Sequence, residues 1–440
     1  MMNRRDFNKS IAMTAAGAAF SQGLQPARLI GANDRVGLGF IGVGSMAQQH
    51  LRNFIRTGQV EVLAIADPYE PHLDQAVGMT LGKAKGYKDF RRVLEMKDID
   101  GVVIATPDHW HAIPTIMACQ AGKDVYVEKP LSHTLYEGRK MVEAAMKYKR
   151  VVQVGTQQRS GEHFKKAVEA VRSGQIGKVS FAETWNYGNN WPEGMGNPPD
   201  SDPPPWLDWD LWLGPAPYHR YNRNRCIGSF RSFWDYAGGM LTDWATHLVD
   251  IVLWAMGVEA PTTVNTSGGR YLVQDNGETP DTVEAIWEFP GSPVSGKQFL
   301  VRYVYRGTNS HSPEGKGYGI QFYGTEGTLF VDRDGYALLP EPKLAGYDFE
   351  RVASSGVING GASPQYMPHA LNFLECIRTR QKPDSDIETT HRSTSMSHLA
   401  VISYKLGRKL RWDGAQEKFV DDAEANKLLT KEYRKPWTLG

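Results

Sequence analysis

The sequence predicts an α/β protein whose amino-terminal half is an open, doubly wound sheet of mostly parallel strands. Three observations predict it. Short apolar runs recur at 36–41, 61–66, 101–105, 125–127 and 151–154, each ending in a cluster of polar residues. Helix-length segments separate most of them, the spacing that parallel strands require. The chain of 440 residues is also long enough for two domains with sizeable cores.

The first run, Val36-Gly37-Leu38-Gly39-Phe40-Ile41, reads as a buried strand and leads into Gly42-Val43-Gly44-Ser45-Met46-Ala47. This is the G-x-G-x-x-G/A pattern of a dinucleotide-binding turn. Gly42 permits the tight turn, Gly44 leaves room for a pyrophosphate, and Ala47 lets the next helix, expected over 45–57, pack closely on the strand. Ser45 and Met46 open that helix, whose free N–H groups and dipole suit phosphates. The second strand ends in Asp67, an acid placed to accept hydrogen bonds from ribose hydroxyls and to repel a 2′-phosphate. NAD is therefore favoured over NADP.

The fourth run, Val125-Tyr126-Val127, is followed by Glu128-Lys129-Pro130. Proline disfavours the α region for the residue before it, so Lys129 is held extended at the carboxyl end of a buried strand. Ligands bind at such strand ends in open α/β sheets. There a lysine can lose water, have its pKa lowered and take part in proton transfer. An isolated E-K-P would be only a solvated charge before a turn; its setting argues otherwise.

Two more strand ends carry polar clusters. Thr106-Pro107-Asp108-His109-Trp110-His111 has two histidines but no third ligand at metal spacing, so no metal is expected and a loop touching the nicotinamide is. Thr106, His111, Glu128 and Lys129 join Gly42, Gly44, Ser45, Met46, Ala47 and Asp67 as candidate cofactor-binding residues. The last cluster, Gly155-Thr156-Gln157-Gln158-Arg159, adds Gln158 to the cofactor side and Arg159 to the substrate side.

In the second half, Gly238-Gly239-Met240-Leu241-Thr242-Asp243-Trp244-Ala245-Thr246-His247-Leu248-Val249-Asp250 reads as a loop entering a helix. Asp243, His247 and Asp250 then fall on one face, among apolar residues that would be buried. Buried charge without partners is costly. Asp243 is expected to orient His247 or bind a substrate hydroxyl, and His247 to exchange a proton near neutral pH. For Asp250, structural and functional readings are both open.

These motifs together resemble the Gfo/Idh/MocA family, relatives of glucose-fructose oxidoreductase and inositol dehydrogenase. The resemblance rests on Gly42-x-Gly44-x-x-Ala47, Thr106-Pro107 with His111, Glu128-Lys129-Pro130 and Asp243-x-x-x-His247, in that order. It implies an N-terminal Rossmann domain and a C-terminal α/β domain with an open, mostly antiparallel sheet that carries the sugar site and often an oligomer interface. It also implies Lys129, Asp243 and His247 as catalytic residues, with His247 the proton acceptor. The expected division is a leader at 1–32, the Rossmann domain at 33–154, the substrate and oligomerisation domain at 155–390, and a helix and tail at 391–440 packing back on the nucleotide domain. A homodimer or homotetramer is expected.

Composition excludes other classes. A net charge of +1 with no long basic run gives no nucleic-acid footprint. No apolar segment has the length of a membrane span. Cys119, Cys226 and Cys376 form no metal or redox motif and are expected to be free and buried. Asn3-Arg4-Arg5-Asp6-Phe7-Asn8-Lys9, followed by an alanine-rich stretch, resembles a twin-arginine export signal, although Asn8 departs from the usual apolar residue. Such a route carries folded proteins, so the periplasm and a tightly bound nucleotide are expected together.

The segment 185–209 is rich in proline and tryptophan. Its tryptophan faces and amides suit a sugar, which makes Asn186, Tyr187 and Trp191 substrate candidates; a self-packed loop fits equally. Residues 208–215 read as a short structural helix, 319–330 as two strands around a Gly-Thr-Glu-Gly turn, and 368–378 and 391–410 as helices. The leading expectation is a nicotinamide-dependent oxidoreductase acting on a secondary hydroxyl of a sugar or glycoside. The alternative is a glycosidase that oxidises its substrate transiently with bound NAD and releases the aglycone by elimination.

Overall fold

In the computed structural model the described residues are 35–312, 315–341 and 358–439. The expected leader at 1–32 lies outside them. The described residues from Val36 onward form one compact unit.

The first sheet has six parallel strands in the order β3-β2-β1-β4-β5-β6. They are β1 (Val36–Ile41), β2 (Val60–Ala66), β3 (Lys85–Tyr87), β4 (Gly101–Ile104), β5 (Asp124–Val127) and β6 (Val152–Val154). Strands β1, β4 and β5 are buried along their whole length, as apolar strands covered on both faces must be. Strand β3 was not legible, because Lys-Gly-Tyr has no apolar run. The connecting helices are α1 (Ser45–Arg56), α2 (Glu70–Met79), α3 (Arg91–Leu94), α4 (Ala112–Gln120) and α5 (Leu135–Lys147). Strand order reverses between β1 and β4, the crevice where such sheets bind ligands.

The second sheet has ten strands, ordered β14-β13-β12-β11-β7-β10-β9-β8-β15-β16. Helix α6 (Glu162–Arg172) leads into β7 (Val179–Tyr187). Helices α7 (Trp209–Leu213), α8 (Met240–Asp243) and α9 (Ala245–Met256) then precede β8 (Thr263–Gly269), β9 (Thr282–Pro290) and β10 (Ser295–Arg306). Strands β11 (Tyr318–Gly324), β12 (Gly327–Asp332), β13 (Gly335–Pro340) and β14 (Ile358–Gly361) follow. The chain closes with α10 (Tyr366–Thr379), α11 (Ile387–Leu406), β15 (Leu410–Asp413), β16 (Lys418–Phe419) and α12 (Ala423–Lys427). All neighbours are antiparallel except β7 and β10. Alternation sets the faces: Val283, Ala285, Trp287 and Phe289 of β9 are buried while the residues between them are not. Helices α6, α9 and α11 join this core through Val168, Val249, Val252 and Leu399.

One helix boundary departs from expectation. The segment expected as a helix over 391–410 is helical only to Leu406, and Leu410–Asp413 is a strand paired with β8. Gly407, at φ 64°, ends the helix in the left-handed conformation. Asp386 caps its start by accepting from the N–H groups of Glu388 and Thr389. The tail divides likewise: β15 and β16 extend the large sheet, whereas Trp437 packs on Phe90 and Trp110 and Tyr433 donates to Glu137. The three cysteines are free and buried. No helix among the described residues is long and apolar enough to cross a membrane.

Candidate active site

The crevice is built first from the turn after β1. Gly42 has φ +75°, and a Cβ there would come within 2.7 Å of the Thr106 backbone nitrogen. Gly44 precedes α1 in an extended conformation, and the helix start has no side-chain cap. Its first N–H groups are therefore open to an anion. Gly42, Gly44, Ser45 and Met46 line a cavity with Asp67 and Thr106, while Ala47 is buried beneath it. Asp67 accepts from the backbone N–H groups of Val43 (2.7 Å) and Tyr69 (2.8 Å). Burial outweighs those bonds and raises its pKa. Each carboxylate oxygen keeps a second acceptor position, so the residues fit a dinucleotide at this crevice.

The strand-end motifs divide into braces and open groups. Glu128 is a brace: its Oε1 lies 2.6 Å from His50 Nε2 and accepts from Gln157 at 2.8 Å, and its Oε2 accepts from the Lys129 N–H. Burial alone would raise its carboxyl, but His50 and Lys129 overcome that and lower it. His111 is another, with Nδ1 2.7 Å from the Pro130 carbonyl and Nε2 2.9 Å from that of Thr106. It joins the two turns, so neither Glu128 nor His111 presents a free side chain to a cofactor. A cis peptide links Lys129 to Pro130.

Lys129 is aimed the other way. Its Nζ donates to Asp243 Oδ1 at 2.6 Å and to the Asp243 carbonyl at 2.9 Å. Arg231 Nε donates to the same Oδ1 at 3.0 Å. Burial would raise the Asp243 carboxyl, yet the two cations hold it well below the usual carboxylate range. Gly239 makes this approach possible. It has φ +62°, its N–H donates to the Arg231 carbonyl, and a Cβ there would meet Thr279 at 2.7 Å.

The expectation of a single helix carrying Asp243, His247 and Asp250 is corrected. Asp243 ends the one-turn helix α8, and Trp244 separates it from α9. Asp243 is spent on Lys129 and Arg231 rather than on His247, whose Nδ1 is buried with no hydrogen-bond partner. The expected titration of His247 near neutrality is corrected too: burial, then the cations Lys129 and Arg333, push its pKa well below the ordinary histidine value. Asp250 proves structural. It pairs with Arg159 through two bonds, 2.7 and 2.9 Å, and accepts from Ser393 at 2.5 Å. That commits Arg159, which also lies over the Trp254 ring.

A second cavity of about 370 Å³ shares Gly228 and Arg231 with the first. Its walls include Asn190, Met240, Arg270, Asp281 and Tyr305. Of the aromatic loop expected to meet substrate, Asn190, Gly194 and Met195 reach this cavity. Asn186 and Tyr187 belong to β7, Tyr187 beneath Arg306, and Trp191 is exposed to solvent. Around the site, buried side chains with polar atoms that lack protein partners include Thr106 Oγ1, Asp108 Oδ2, His109 Nδ1, both amide atoms of Gln158, His247 Nδ1 and Asp281 Oδ1. Each such atom costs about 1–3 kcal/mol when it stays unpaired. Others lie elsewhere in the molecule, but those at the crevice are placed where a bound ligand could pair with them. Sequence reasoning missed Arg231 and His50, which no motif announces, and passed over Asp108 inside a motif it had quoted.

Comparison with known proteins agrees with this architecture. Residues 36–156 match the model of an oxidoreductase family with an NAD-binding Rossmann fold, and 160–276 with 359–439 match the C-terminal alpha/beta domain of the same family. The rhizopine catabolism protein MocA of Rhizobium meliloti is 26% identical over 336 residues, 75% of this chain and 90% of that protein. The scyllo-inositol 2-dehydrogenase (NAD(+)) of Bacillus subtilis is 23% identical over 379 residues, 85% of this chain and 95% of that protein. A levoglucosan dehydrogenase solved with NADH and levoglucosan superposes with a TM-score of 0.63 at 18% identity, covering 86% of this chain and 99% of that one, a likeness of fold. The chain belongs to the Gfo/Idh/MocA oxidoreductase family.

Proposed function

We propose that this Gfo/Idh/MocA oxidoreductase interconverts a secondary hydroxyl and a ketone on a sugar or cyclic polyol, using NAD. One observation carries the reading: Lys129, Asp243 and Arg231 form a charge cluster beside the dinucleotide crevice, with a second, polar-walled cavity opening off Arg231. The relatives named for inositol and levoglucosan support the substrate class. Bound nicotinamide supplies the hydride acceptor.

The chain's own residues handle position and protons. Lys129, fixed by Asp243, presents an ammonium toward the reacting oxygen, where it stabilises developing negative charge. His247 is neutral at physiological pH because its charged form is disfavoured by burial and neighbouring cations. The neutral imidazole is thus able to accept the hydroxyl proton. Asp67, in the wall of the crevice, favours NAD over NADP by repelling a 2′-phosphate. Retention of the nucleotide through turnover, export by the twin-arginine route and a homodimer or homotetramer belong to the same reading.

The test is to purify the protein without added cofactor, assay the denatured supernatant for nucleotide, and then follow NADH formation with a panel of inositols, anhydrosugars and glycosides. NAD reduction with a polyol or sugar is expected. Aglycone release without net NADH would instead identify the redox-neutral glycosidase, and inactivity on the whole panel would overturn both.

A further inference from the structure

Asp108 is an acidic residue beside the charge cluster that the scheme above leaves unused. It begins the one-turn helix Asp108–Trp110 at the end of β4 and is 5% exposed. Its Oδ2 is buried and has no hydrogen-bond partner. The charged groups facing it are Arg231 and Asp243 from the C-terminal domain and Lys129 from the end of β5. It therefore sits on the Lys129 side of the crevice, while its neighbours Thr106, Pro107 and Trp110 line the dinucleotide cavity.

The turn that carries Asp108 is held from outside. The His109 N–H donates to the Tyr236 carbonyl at 3.1 Å, and Trp110 Nε1 donates to the Trp212 carbonyl at 2.9 Å. The His109 ring packs against those of Trp212 and Tyr236, with centroids 5.4 and 5.2 Å away. Residues of the C-terminal domain thus fix a Rossmann strand end, and the unpaired oxygen cannot easily turn to solvent. A purely structural carboxylate at this position would be expected to find a donor, as Asp250 and Asp67 do. Arg231 and Lys129 are close enough to act on it electrostatically, yet the hydrogen bonds they make go to Asp243 and, from Arg231 Nη1, to the Gly228 carbonyl.

We propose that Asp108 is a substrate-binding residue, its free carboxyl oxygen engaging a hydroxyl of the polyol next to the reacting carbon. This rests on the reading of the site as a sugar or polyol oxidoreductase. A hydroxyl suits the position because it can either donate or accept, so it pairs with the carboxylate or the carboxylic acid, the bond to the charged carboxylate being the stronger. Burial, with Asp243 adding and Arg231 and Lys129 opposing, pushes the Asp108 pKa up to about 7. Substrate affinity therefore changes across neutrality as this group exchanges its proton. The pairing also selects polyhydroxylated substrates over simple secondary alcohols, because an alcohol with no second hydroxyl leaves the oxygen unpaired.

The variants Asp108→Asn and Asp108→Leu, each in the full chain loaded with NADH, test this. Myo-inositol and levoglucosan serve as binding probes by calorimetry, and the best turnover substrate from the panel supplies kinetics. For Asp108→Asn the expected result is a KM at least tenfold higher, a kcat within a few-fold, an unchanged Kd for NADH, and loss of the near-neutral limb in the pH profile of kcat/KM. For Asp108→Leu substrate binding should be lost while Tm rises, since an unpaired buried polar atom has been removed. A lower Tm in both variants with an unaltered pH profile would make Asp108 structural and overturn the proposal. So would equal probe binding by wild type and Asp108→Asn, which leaves the oxidoreductase reading standing. Wild type that neither binds nor turns over any polyol or sugar would overturn that reading and this proposal with it.

Discussion

Two buried ion pairs, built from the same chemistry on the same stretch of chain, differ in what they leave open. Lys129–Asp243 and Arg159–Asp250 have nearly equal closest approaches, 2.6 and 2.7 Å. In the second pair Asp250 has no exposed side-chain surface; it takes two bonds from one guanidinium and a third from Ser393. Nothing further can bind there. In the first pair the side chains remain 10% and 14% exposed, a second cation from Arg231 shares the carboxylate, and unpaired atoms of Asp108 and His247 lie around it. Ion pairing alone does not mark an active site; unspent hydrogen-bonding capacity beside it does.

The comparison breaks most sharply under substitution. Lys129→Met should lower turnover by about 10³-fold, within the range for loss of a positioned proton-handling group, while NADH binding measured by fluorescence stays near wild type. Asp250→Ala should do the reverse. It strands the Arg159 guanidinium in the core, at a cost of about 3–5 kcal/mol, visible as a large drop in the denaturation midpoint with a nearly normal kcat in what remains folded. Replacing both Arg159 and Asp250 with apolar residues of similar volume should recover most of that stability.

A pH experiment separates the site from the scaffold. Burial depresses the pKa of several histidines: His369 to about 4, His109 and His398 to about 3, and His247 well below its ordinary value. A histidine in the unfolded chain titrates near 6.5. The fold therefore excludes protons that the unfolded chain binds, and this stability is complete above about pH 6.5 and falls as pH drops toward the folded values. Tm should decline from pH 7 to pH 5. In Asp108→Asn, where the near-neutral limb from Asp108 is removed, kcat/KM should show no limb near 6.5 from His247. The smallest expected effect is at Asp67: Asp67→Ser should weaken NAD binding by about tenfold, the scale of one hydrogen bond to a charged group, and improve relative binding of NADP.

Much of this was legible in the sequence, and the limits have physical causes. Apolar runs and the G-x-G-x-x-A turn reveal the parallel sheet because burial and backbone approach leave local signatures. The Glu128-Lys129-Pro130 and Asp243–His247 segments could be singled out for the same reason. Their wiring could not, because it depends on which side chains meet across as many as 114 residues of chain. Local periodicity placed Asp243 on a helix with His247, but Gly239 and Trp244 put it on a separate turn facing Lys129. Arg231 lies in a segment without periodicity, and only the fold brings it to Asp243. Helix α11 was drawn four residues too long because Gly407 is an ordinary glycine until its left-handed conformation is seen.

The central claim is that the open pair, not the closed one, carries the chemistry. It is tested most directly by rapid mixing of NAD-loaded protein with the best polyol of the panel, following NADH absorbance in one turnover for wild type, Lys129→Met and the apolar Arg159/Asp250 double variant. The account predicts a burst of NADH in wild type and in the double variant, and a rate about 10³-fold lower in Lys129→Met. A Lys129→Met enzyme that still forms NADH at the wild-type rate would contradict it.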